Sequence, residues 1–410
     1  MRLTGPFAQI ITMAGLPLKG ALADEQLEVI NDSGIITNEG KIVAVGNYEA
    51  LLAAHPGIDT DVRKQPMVLL PGFIDCHTHI CFDGTRSRDY AMRISGKSYL
   101  DIARAGGGIW DSVTKTRAAK EQVLAESLIS RANRHFQEGV TTIEVKSGYG
   151  LDAYAEIKML RAIKYAAQHT PATLISTCLA AHMKPRDYEG TEQQYLDWII
   201  TDLLPVLKEH DLTNRVDIFI EETAFSAATA LSFLEKAKAM GMALTVHADQ
   251  FTAAGTAVAV QAGALSADHL EASTDKEIAL LAASDTVAVV LPGASMGLGM
   301  PYAPARRLLD AGTCVAIASD WNPGSAPMGD LLMQAAVMSA AEKLSTAEVL
   351  AGLTVRAAKA LGLQHTGALQ PGMDADFQAY ETTDYRDILY YQGKLKPATV
   401  WKGGQKIIML

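Results

Sequence analysis

Strand-like and helical segments alternate through the middle of the chain, and this alternation limits the fold more than any other feature of the sequence. Eight short runs rich in Val, Ile, Leu and Ala are separated by stretches long enough to hold helices. They are VLLPGFIDCHTH, VTTIEVKS, ATLISTCLAAH, VDIFIEE, ALTVHAD, ALSADHL, TVAVVLPG and CVAIASD. Strand-helix-strand repeats build parallel sheets through helical crossovers, and eight of them can close into a barrel. We therefore predict an α/β fold with a (β/α)8 TIM-like barrel.

The two ends of the chain have a different pattern. Residues 1–66 read as short strands with turns, among them LEVINDSGIITNEGKIVAVG, in which NEG separates two β-rich runs as in a hairpin. Residues 365–410 again show strands punctuated by Gly and Pro. We predict that 1–66 and 365–410 form one small β-sandwich domain and that 67–364 form the barrel.

Composition narrows the class of protein. The 410 residues are 49% hydrophobic and 20% charged, with a net charge of -10, which argues against nucleic acid or an anionic membrane as partner. The four cysteines form no C-x-x-C pair, and the N-terminus lacks the apolar core of a signal peptide. The longest uncharged stretch, 286–305, is broken by Pro and Gly and is expected to be a strand that runs into a loop. We predict a cytoplasmic enzyme with a small-molecule substrate.

Polar residues end several of the predicted strands. In a β/α barrel the carboxyl ends of all strands meet at one mouth, where active sites lie. The first strand ends in an H-x-H pair, the fifth and sixth each end in a histidine, and the eighth ends in an aspartate: His77, His79, His247, His269 and Asp320. Imidazoles and a carboxylate suit Zn²⁺ or Fe²⁺. We predict that His77, His79, His247 and Asp320 bind one metal ion with a position left open for water.

This predicted site favours hydrolysis. A metal ion of this kind activates water for attack on an sp² carbon, and Asp320 is placed to accept the proton while His269 assists or polarises the electrophile. Gln250, three residues after His247, cannot transfer a proton as the acid of a deaminase must. Ring opening by amide-type hydrolysis fits better, with Gln250 as a hydrogen-bonding partner of the substrate.

A second motif suggests a different chemistry. Residues 293–297 (GASMG) match G-x-S-x-G, and Asp320 and His365 follow Ser295 in the order of an α/β-hydrolase triad. We reject this interpretation for three reasons. The sequence GLGMPYAP is expected to separate the serine from any helix, His365 is expected at a helix end, and the H-x-H pair would have no role.

Longer motifs carry a family resemblance. PGFIDCHTH and GALQPGMDADF are general marks of the amidohydrolase superfamily; more specific are FDGTRSRDYAMRISGKSYLDIARAGGGIWDSVTKTR, EVKSGYGLD, AAHMKP, VHADQ, GALSADHLE, VAVVLPGA and SDWNPGS. With these motifs in order over about 70–377, the chain resembles the imidazolonepropionase family of that superfamily.

The resemblance implies hydrolysis of 4-imidazolone-5-propanoate to N-formimidoyl-L-glutamate in histidine degradation. It also implies one Zn²⁺ or Fe³⁺ on the four predicted ligands, and a homodimer. The substrate-binding residues that it implies are Arg86, Tyr149, His182, Gln250, Asn322, Gly324 and Ser325. A guanidinium such as that of Arg86 suits an anionic propionate tail.

One stretch departs from the family. Residues 295–304 (SMGLGMPYAP) are small and flexible where family members usually carry aromatic residues. A related ring, such as a hydantoin-type propionate, is therefore an alternative substrate. A barrel that serves only as a non-catalytic scaffold would have no reason to keep the full set of ligands.

Overall fold

A computed structural model describes residues 1–97 and 99–407. Ser98 of the long FDGTR motif and residues 408–410 of the predicted terminal domain lie outside this range. The strands are β1 (Arg2–Ile11), β2 (Val29–Asn38), β3 (Lys41–Asn47), β4 (Asp59–Val62), β5 (Val68–Pro71), β6 (Phe73–Asp75), β7 (Val140–Lys146), β8 (Thr173–Ala181), β9 (Arg215–Phe219), β10 (Ala243–Ala248), β11 (Ser266–His269), β12 (Val287–Val290), β13 (Val315–Ile317), β14 (Phe377–Tyr380), β15 (Thr399–Lys402) and β16 (Gln405–Ile407).

Helices connect and cover these strands. They are α1 (Tyr48–Ala54), α2 (Ser87–Ile94), α3 (Tyr99–Arg104), α4 (Ile109–Ala118), α5 (Glu121–Gln137), α6 (Ala153–Ala167), α7 (Glu192–Trp198), α8 (Leu204–Glu209), α9 (Ala227–Ala239), α10 (Gly255–Ala262), α11 (Asp275–Ala282), α12 (Pro292–Leu298), α13 (Ala305–Asp310), α14 (Leu331–Glu342), α15 (Thr346–Gly352), α16 (Val355–Ala360) and α17 (Asp387–Tyr390). A 3₁₀ turn spans Asp24–Gln26, and a π-helical turn, Ile199–Leu203, joins α7 to α8.

The barrel is the sheet β6 to β13, in which each strand pairs in parallel with the next one in the chain. The first and last strands, β6 and β13, meet just beyond their carboxyl ends. There the amide of His79 donates a hydrogen bond to the carbonyl of Trp321 at 3.1 Å. Asp75 joins the same two strands by accepting from the amide of Ser319 at 3.0 Å. The predicted eight-stranded barrel is therefore confirmed.

Helix starts follow from local chemistry. Asp152 and Ser226 precede α6 and α9, and their side chains accept from the amides of Ala155 and Thr229. Such caps satisfy amides that have no partner inside the helix. These two caps start α6 and α9 where the sequence predicted helices.

The terminal segments form a second sheet, in the order β16-β15-β14-β5-β1-β2-β3, with β4 paired to β1. The first predicted strand is divided: β5 pairs with β1 and β14 in this sheet, and only β6 belongs to the barrel. Gly72 alone separates the two, and a side chain there would collide with Thr141. The small domain built from both termini is thus present, with β5 as a further strand.

One expectation about the uncharged stretch 286–305 was wrong. The strand β12 continues into the helix α12 and not into a loop. Pro292 stands in the first turn of α12, where its missing N–H is tolerated. In the described ranges 1–97 and 99–407, no helix is long and apolar enough to cross a membrane.

Candidate active site

Three imidazoles converge at the carboxyl end of the barrel. Nε2 of His79 lies 3.2 Å from Nε2 of His77 and 3.2 Å from Nε2 of His247. Oδ1 of Asp320 lies 3.7 Å from Nε2 of His77 and 3.5 Å from Nε2 of His79, and although it is buried it has no hydrogen-bond partner among the residues that the structure describes. Four ligands at about 2.1 Å around a tetrahedral metal ion would lie about 3.4 Å apart. The spacing of these atoms therefore fits a metal ion.

Two carboxylates fix the orientation of two of these rings. Oδ2 of Asp268 accepts a hydrogen bond from Nδ1 of His77 at 2.6 Å, and Oδ2 of Asp217 lies 2.9 Å from Nδ1 of His247. A carboxylate beside Nδ1 holds the proton there and leaves the lone pair of Nε2 facing the centre. The rings are thus oriented as metal ligands.

The pKa shifts agree with this assignment. Burial lowers the pKa of His77 and of His79 well below the ordinary value and lowers that of His247 to about 3. Burial also raises the pKa of Asp320 to about 7, against the opposing effect of His269. Neutral imidazoles are the form that binds metal ions, and a carboxyl group with a pKa near neutrality suits proton transfer.

Asp320 is held by its neighbours. Ser325 donates a hydrogen bond to Oδ2 of Asp320 at 2.6 Å, which leaves Oδ1 directed towards the histidines. The backbone of Asp320 has φ 57°, and His269 has φ 92°, in the region that side chains other than glycine rarely adopt. Strained backbone of this kind clusters at functional sites.

His269 lies beside the three histidines and is the one site imidazole whose pKa is raised. Burial alone would lower its pKa, but Glu271 raises it, with Oε2 of Glu271 at 3.5 Å from Nδ1. Ser295 donates to Oε1 of the same glutamate at 3.1 Å.

The G-x-S-x-G motif at residues 293–297 lies in the helix α12, which follows β12 directly, so one reason for rejecting the serine motif was wrong. The motif still forms no triad, because Ser295 bonds Glu271 while His365 is exposed beside the terminal sheet.

Arg86 lies over the loop that follows Asp320. A side chain at Gly324 would come within 2.3 Å of Nη1 of Arg86, so the guanidinium packs directly against this glycine and would have to shift if it were replaced. Nε of Arg86 donates to Oδ2 of Asp89 at 2.8 Å, and the amide of Gly108 donates to the same oxygen at 2.8 Å. The triple glycine 106–108 thus anchors Asp89, which in turn fixes Arg86.

Tyr149 and His182 stand next to His79. The ring centroids of His79 and His182 are 5.5 Å apart in a stacked arrangement, and those of His79 and Tyr149 are 6.1 Å apart. Nδ1 of His182 bonds the carbonyl of Gly148 at 3.0 Å, which leaves Nε2 as an acceptor, and burial lowers its pKa to about 4. Glu156 fixes the Tyr149 loop by accepting from the amides of Gly148, Gly150 and Leu151.

The remaining predicted residues lie at the same end of the barrel. Gln250 is buried two residues beyond β10, and Asn322 accepts from the amide of Gly324 at 2.8 Å. The structure therefore brings the predicted ligands together with His269, and places Arg86, Tyr149 and His182 around that end.

Sequence reasoning missed the residues that support the ligands. All of them have buried side chains, and the side chain of Glu271 is 3% exposed. They are Asp89, Lys146, Glu156, Asp217, Asp268 and Glu271. A charged residue in the middle of an apolar strand, such as Asp217 in VDIFIEE, was a signal that could have identified one of them. A buried ion is expensive unless it is paired, so its presence predicts a partner.

A parallel barrel with imidazoles and a carboxylate gathered at its carboxyl end defines the class of metal-dependent hydrolases. Residues 68–407 match the Amidohydrolase family. Similar curated proteins include the imidazolonepropionase of Symbiobacterium thermophilum, 39% identical over 98% of this chain and 95% of that protein. Another is the imidazolonepropionase of Acinetobacter baumannii strain ACICU, 40% identical over 93% of this chain and 96% of that protein.

Among solved structures, an atrazine chlorohydrolase from Arthrobacter aurescens TC1 complexed with zinc has a TM-score of 0.71. It is 17% identical and is matched over 100% of this chain and 95% of its own, which supports the fold alone. The chain belongs to the imidazolonepropionase family of amidohydrolases. The family predicted from the sequence motifs is confirmed, and with it a hydrolase of C–N bonds.

Proposed function

We propose that the chain opens the ring of 4-imidazolone-5-propanoate by hydrolysis and yields N-formimidoyl-L-glutamate, a step of histidine degradation. Similarity to imidazolonepropionases over nearly the full length supports this substrate. The observation that carries the chemistry is the convergence of Nε2 of His77, His79 and His247, with Oδ1 of Asp320 at 3.7 Å from His77 and 3.5 Å from His79.

We propose one Zn²⁺ or Fe³⁺ per chain as the cofactor. His77, His79, His247 and Asp320 would hold it. When bound, such an ion supplies Lewis-acid activation of water and of a carbonyl group. Two of the imidazoles have Nδ1 atoms that face carboxylates, an arrangement common at metal sites with histidine ligands.

The proposed reaction forms one bond and breaks one. The oxygen of water bonds to the carbonyl carbon of the ring, the bond from that carbon to the ring nitrogen breaks, and the nitrogen takes a proton. Asp320, with its pKa raised towards neutrality by burial, accepts the proton of the water and returns it to the nitrogen. His269 is cationic below its raised pKa and donates a hydrogen bond to the carbonyl oxygen as negative charge develops there.

Substrate binding is assigned to the residues around the ligands. Arg86 pairs with the propionate, because Asp89 occupies its Nε and leaves the terminal nitrogens for a second carboxylate. Tyr149, His182 and Gln250 bond the ring. Asn322, Gly324 and Ser325 line the product side, and Ser325 also holds Asp320.

A hydantoin-type propionate is the second candidate substrate, and the small residues of α12 favour it. Gly297 packs so closely that a side chain there would meet the carbonyl of Ser325 at 1.7 Å. Gly297, in the stretch 295–304, therefore keeps any side chain away from Ser325 on the product side. We further propose a terminal domain of residues 1–66 and 365–410 together with β5, a barrel that begins at β6, a homodimer and a cytoplasmic location.

A direct assay tests the proposal. Freshly generated 4-imidazolone-5-propanoate is mixed with zinc-loaded protein, and the loss of its ultraviolet absorbance is followed beside a His247→Ala control and beside hydantoin-5-propanoate. Fast loss with the first substrate alone supports the proposed function. Turnover of the hydantoin alone would move the assignment to the second candidate, and turnover of neither would contradict both.

A further inference from the structure

Lys146 is a fully buried cation that no step of the proposed reaction uses. It ends β7, and its side chain has no exposed surface. Its ammonium group donates to Oε1 of Glu144 at 2.9 Å. Burial alone would lower the pKa of Lys146, but Asp217 and Glu144 raise it above its ordinary value, so the group is charged.

The same ammonium reaches the carboxylates that orient two metal ligands. Nζ of Lys146 lies 2.9 Å from Oδ2 of Asp217, the oxygen that is also 2.9 Å from Nδ1 of His247. Nζ lies 4.0 Å from Oδ2 of Asp268, the oxygen that bonds Nδ1 of His77. One lysine therefore contacts the carboxylates behind both rings.

These groups come from different strands of the barrel. Lys146 belongs to β7, Asp217 to β9 and Asp268 to β11, so they form one charged layer inside the barrel below the histidines. Thr245 and Ser266 complete the layer with hydroxyl groups, since Oγ1 of Thr245 donates to Asp268 at 3.0 Å and lies 2.7 Å from Oγ of Ser266.

We propose that Lys146 is a positioning residue that holds Asp217 and Asp268 in the arrangement that orients His247 and His77 towards the metal ion. Two buried carboxylates this close to each other repel unless a cation lies between them. With Lys146 absent, they would turn away from each other and from the Nδ1 atoms. This inference depends on the metal site of the proposed function but not on the identity of the substrate.

The test measures zinc affinity in the absence of substrate. Metal-free protein and its Lys146→Met variant are titrated with zinc against a chromophoric chelator, and folding is checked by circular dichroism and thermal unfolding. We expect the zinc dissociation constant to rise by about 10 to 100 fold, the range found when a group behind a metal ligand is removed.

Lys158→Met is the matched control. Lys158 is also buried, but its ammonium donates to the backbone carbonyls of Thr116, Arg117 and Ala119, none of them in a proposed ligand. Its loss should lower stability and leave the zinc affinity unchanged. An equal loss of zinc affinity in both variants would show a general effect of a buried lysine and would overturn the proposal.

Asp217→Asn tests the same link from its other end, and unchanged zinc affinity in this variant would overturn the proposal even where Lys146→Met fails to fold. We expect weaker zinc binding in this variant, and a double variant that binds no worse than the weaker single variant, because both changes break one chain of contacts. Unchanged affinity in Lys146→Met or in Asp217→Asn would overturn the proposal. If the parent protein binds no zinc, the proposed metal site itself is contradicted. If it binds zinc tightly but shows no turnover, only the proposed function is contradicted.

Discussion

The terminal sheet and the carboxyl end of the barrel are both buried, but they are filled with opposite kinds of side chain. The interior of the terminal sheet is apolar and aromatic, with the ring of Trp401 at 5.0 Å from that of Phe377 and at 6.4 Å from that of Phe7. The barrel instead buries Lys146, Asp217 and Asp268 beneath its histidines.

The difference shows that the side chains of the terminal sheet serve stability and that the charged side chains of the barrel serve the site. Apolar side chains gain free energy from burial at about 25 cal/mol per Å², whereas each buried ion costs several kcal/mol before its partners offset that amount. A fold that needed only stability would fill the end of the barrel as it fills the terminal sheet. We conclude that the charged layer is kept for the site that it supports, and the following predictions test that separation.

The largest effect is expected from the loss of a metal ligand. His247→Ala removes one of the three converging imidazoles, so turnover should fall by roughly 1000 fold or more. Its free energy of unfolding, measured in metal-free protein, should change far less than in a core variant of the terminal sheet. Normal turnover in this variant would contradict the metal site.

The opposite result is expected in the terminal sheet. Trp401→Ala leaves a cavity between Phe7 and Phe377, and it should lower the free energy of unfolding by about 3 to 5 kcal/mol. The kcat of the protein that remains folded should stay within about twofold of the parent value. Denaturant unfolding and steady-state kinetics on the same sample measure both, and a large loss of kcat in folded protein would break the comparison.

A smaller effect is expected at the rim of the site. Arg86→Ala should raise KM by about 10 to 100 fold with little change in kcat, because a charge-assisted pair with the propionate is lost. Asp89→Asn should act in the same direction but more weakly, since it only loosens Arg86. A substrate analogue without the propionate is the control: both variants should process it as the parent does.

The smallest effect is a pH dependence. His182 has a pKa of about 4 in the fold and 6.5 as its ordinary value, so the unfolded chain binds the proton more readily. The neutral form therefore contributes stability above pH 6.5, and that contribution is lost as the pH falls from 6.5 towards 4. Between pH 7 and pH 5, metal-free parent should lose about 2 kcal/mol more than His182→Gln. Equal losses in urea unfolding would contradict the buried neutral state.

Much of the barrel could be predicted from the sequence because its signals are local. Strand runs such as VTTIEVKS and ALTVHAD show their type within a few residues, and a histidine at a strand end implies a place at the mouth. The division of the first run into β5 and β6 could not be predicted, since it depends on pairing with β1 and β14, far away in the chain.

The residues that support the metal ligands could not be predicted from the sequence either. Asp268 follows Lys146 by more than a hundred residues, and only the closed barrel places both behind His77 and His247. The positive φ angles of His269 and Asp320 leave no mark in the sequence, because neither residue type requires them. The helix α12 was missed because its many small residues resemble a loop.

The identity of the product tests the central claim most directly. Zinc-loaded protein is incubated with 4-imidazolone-5-propanoate in water enriched in ¹⁸O, and both the product and any released ammonia are measured. We predict N-formimidoyl-L-glutamate with one ¹⁸O atom in its new carboxylate and no ammonia, because Gln250 cannot act as the acid of a deaminase. Release of ammonia in step with loss of the ring, or an intact ring after full zinc loading, would contradict this account.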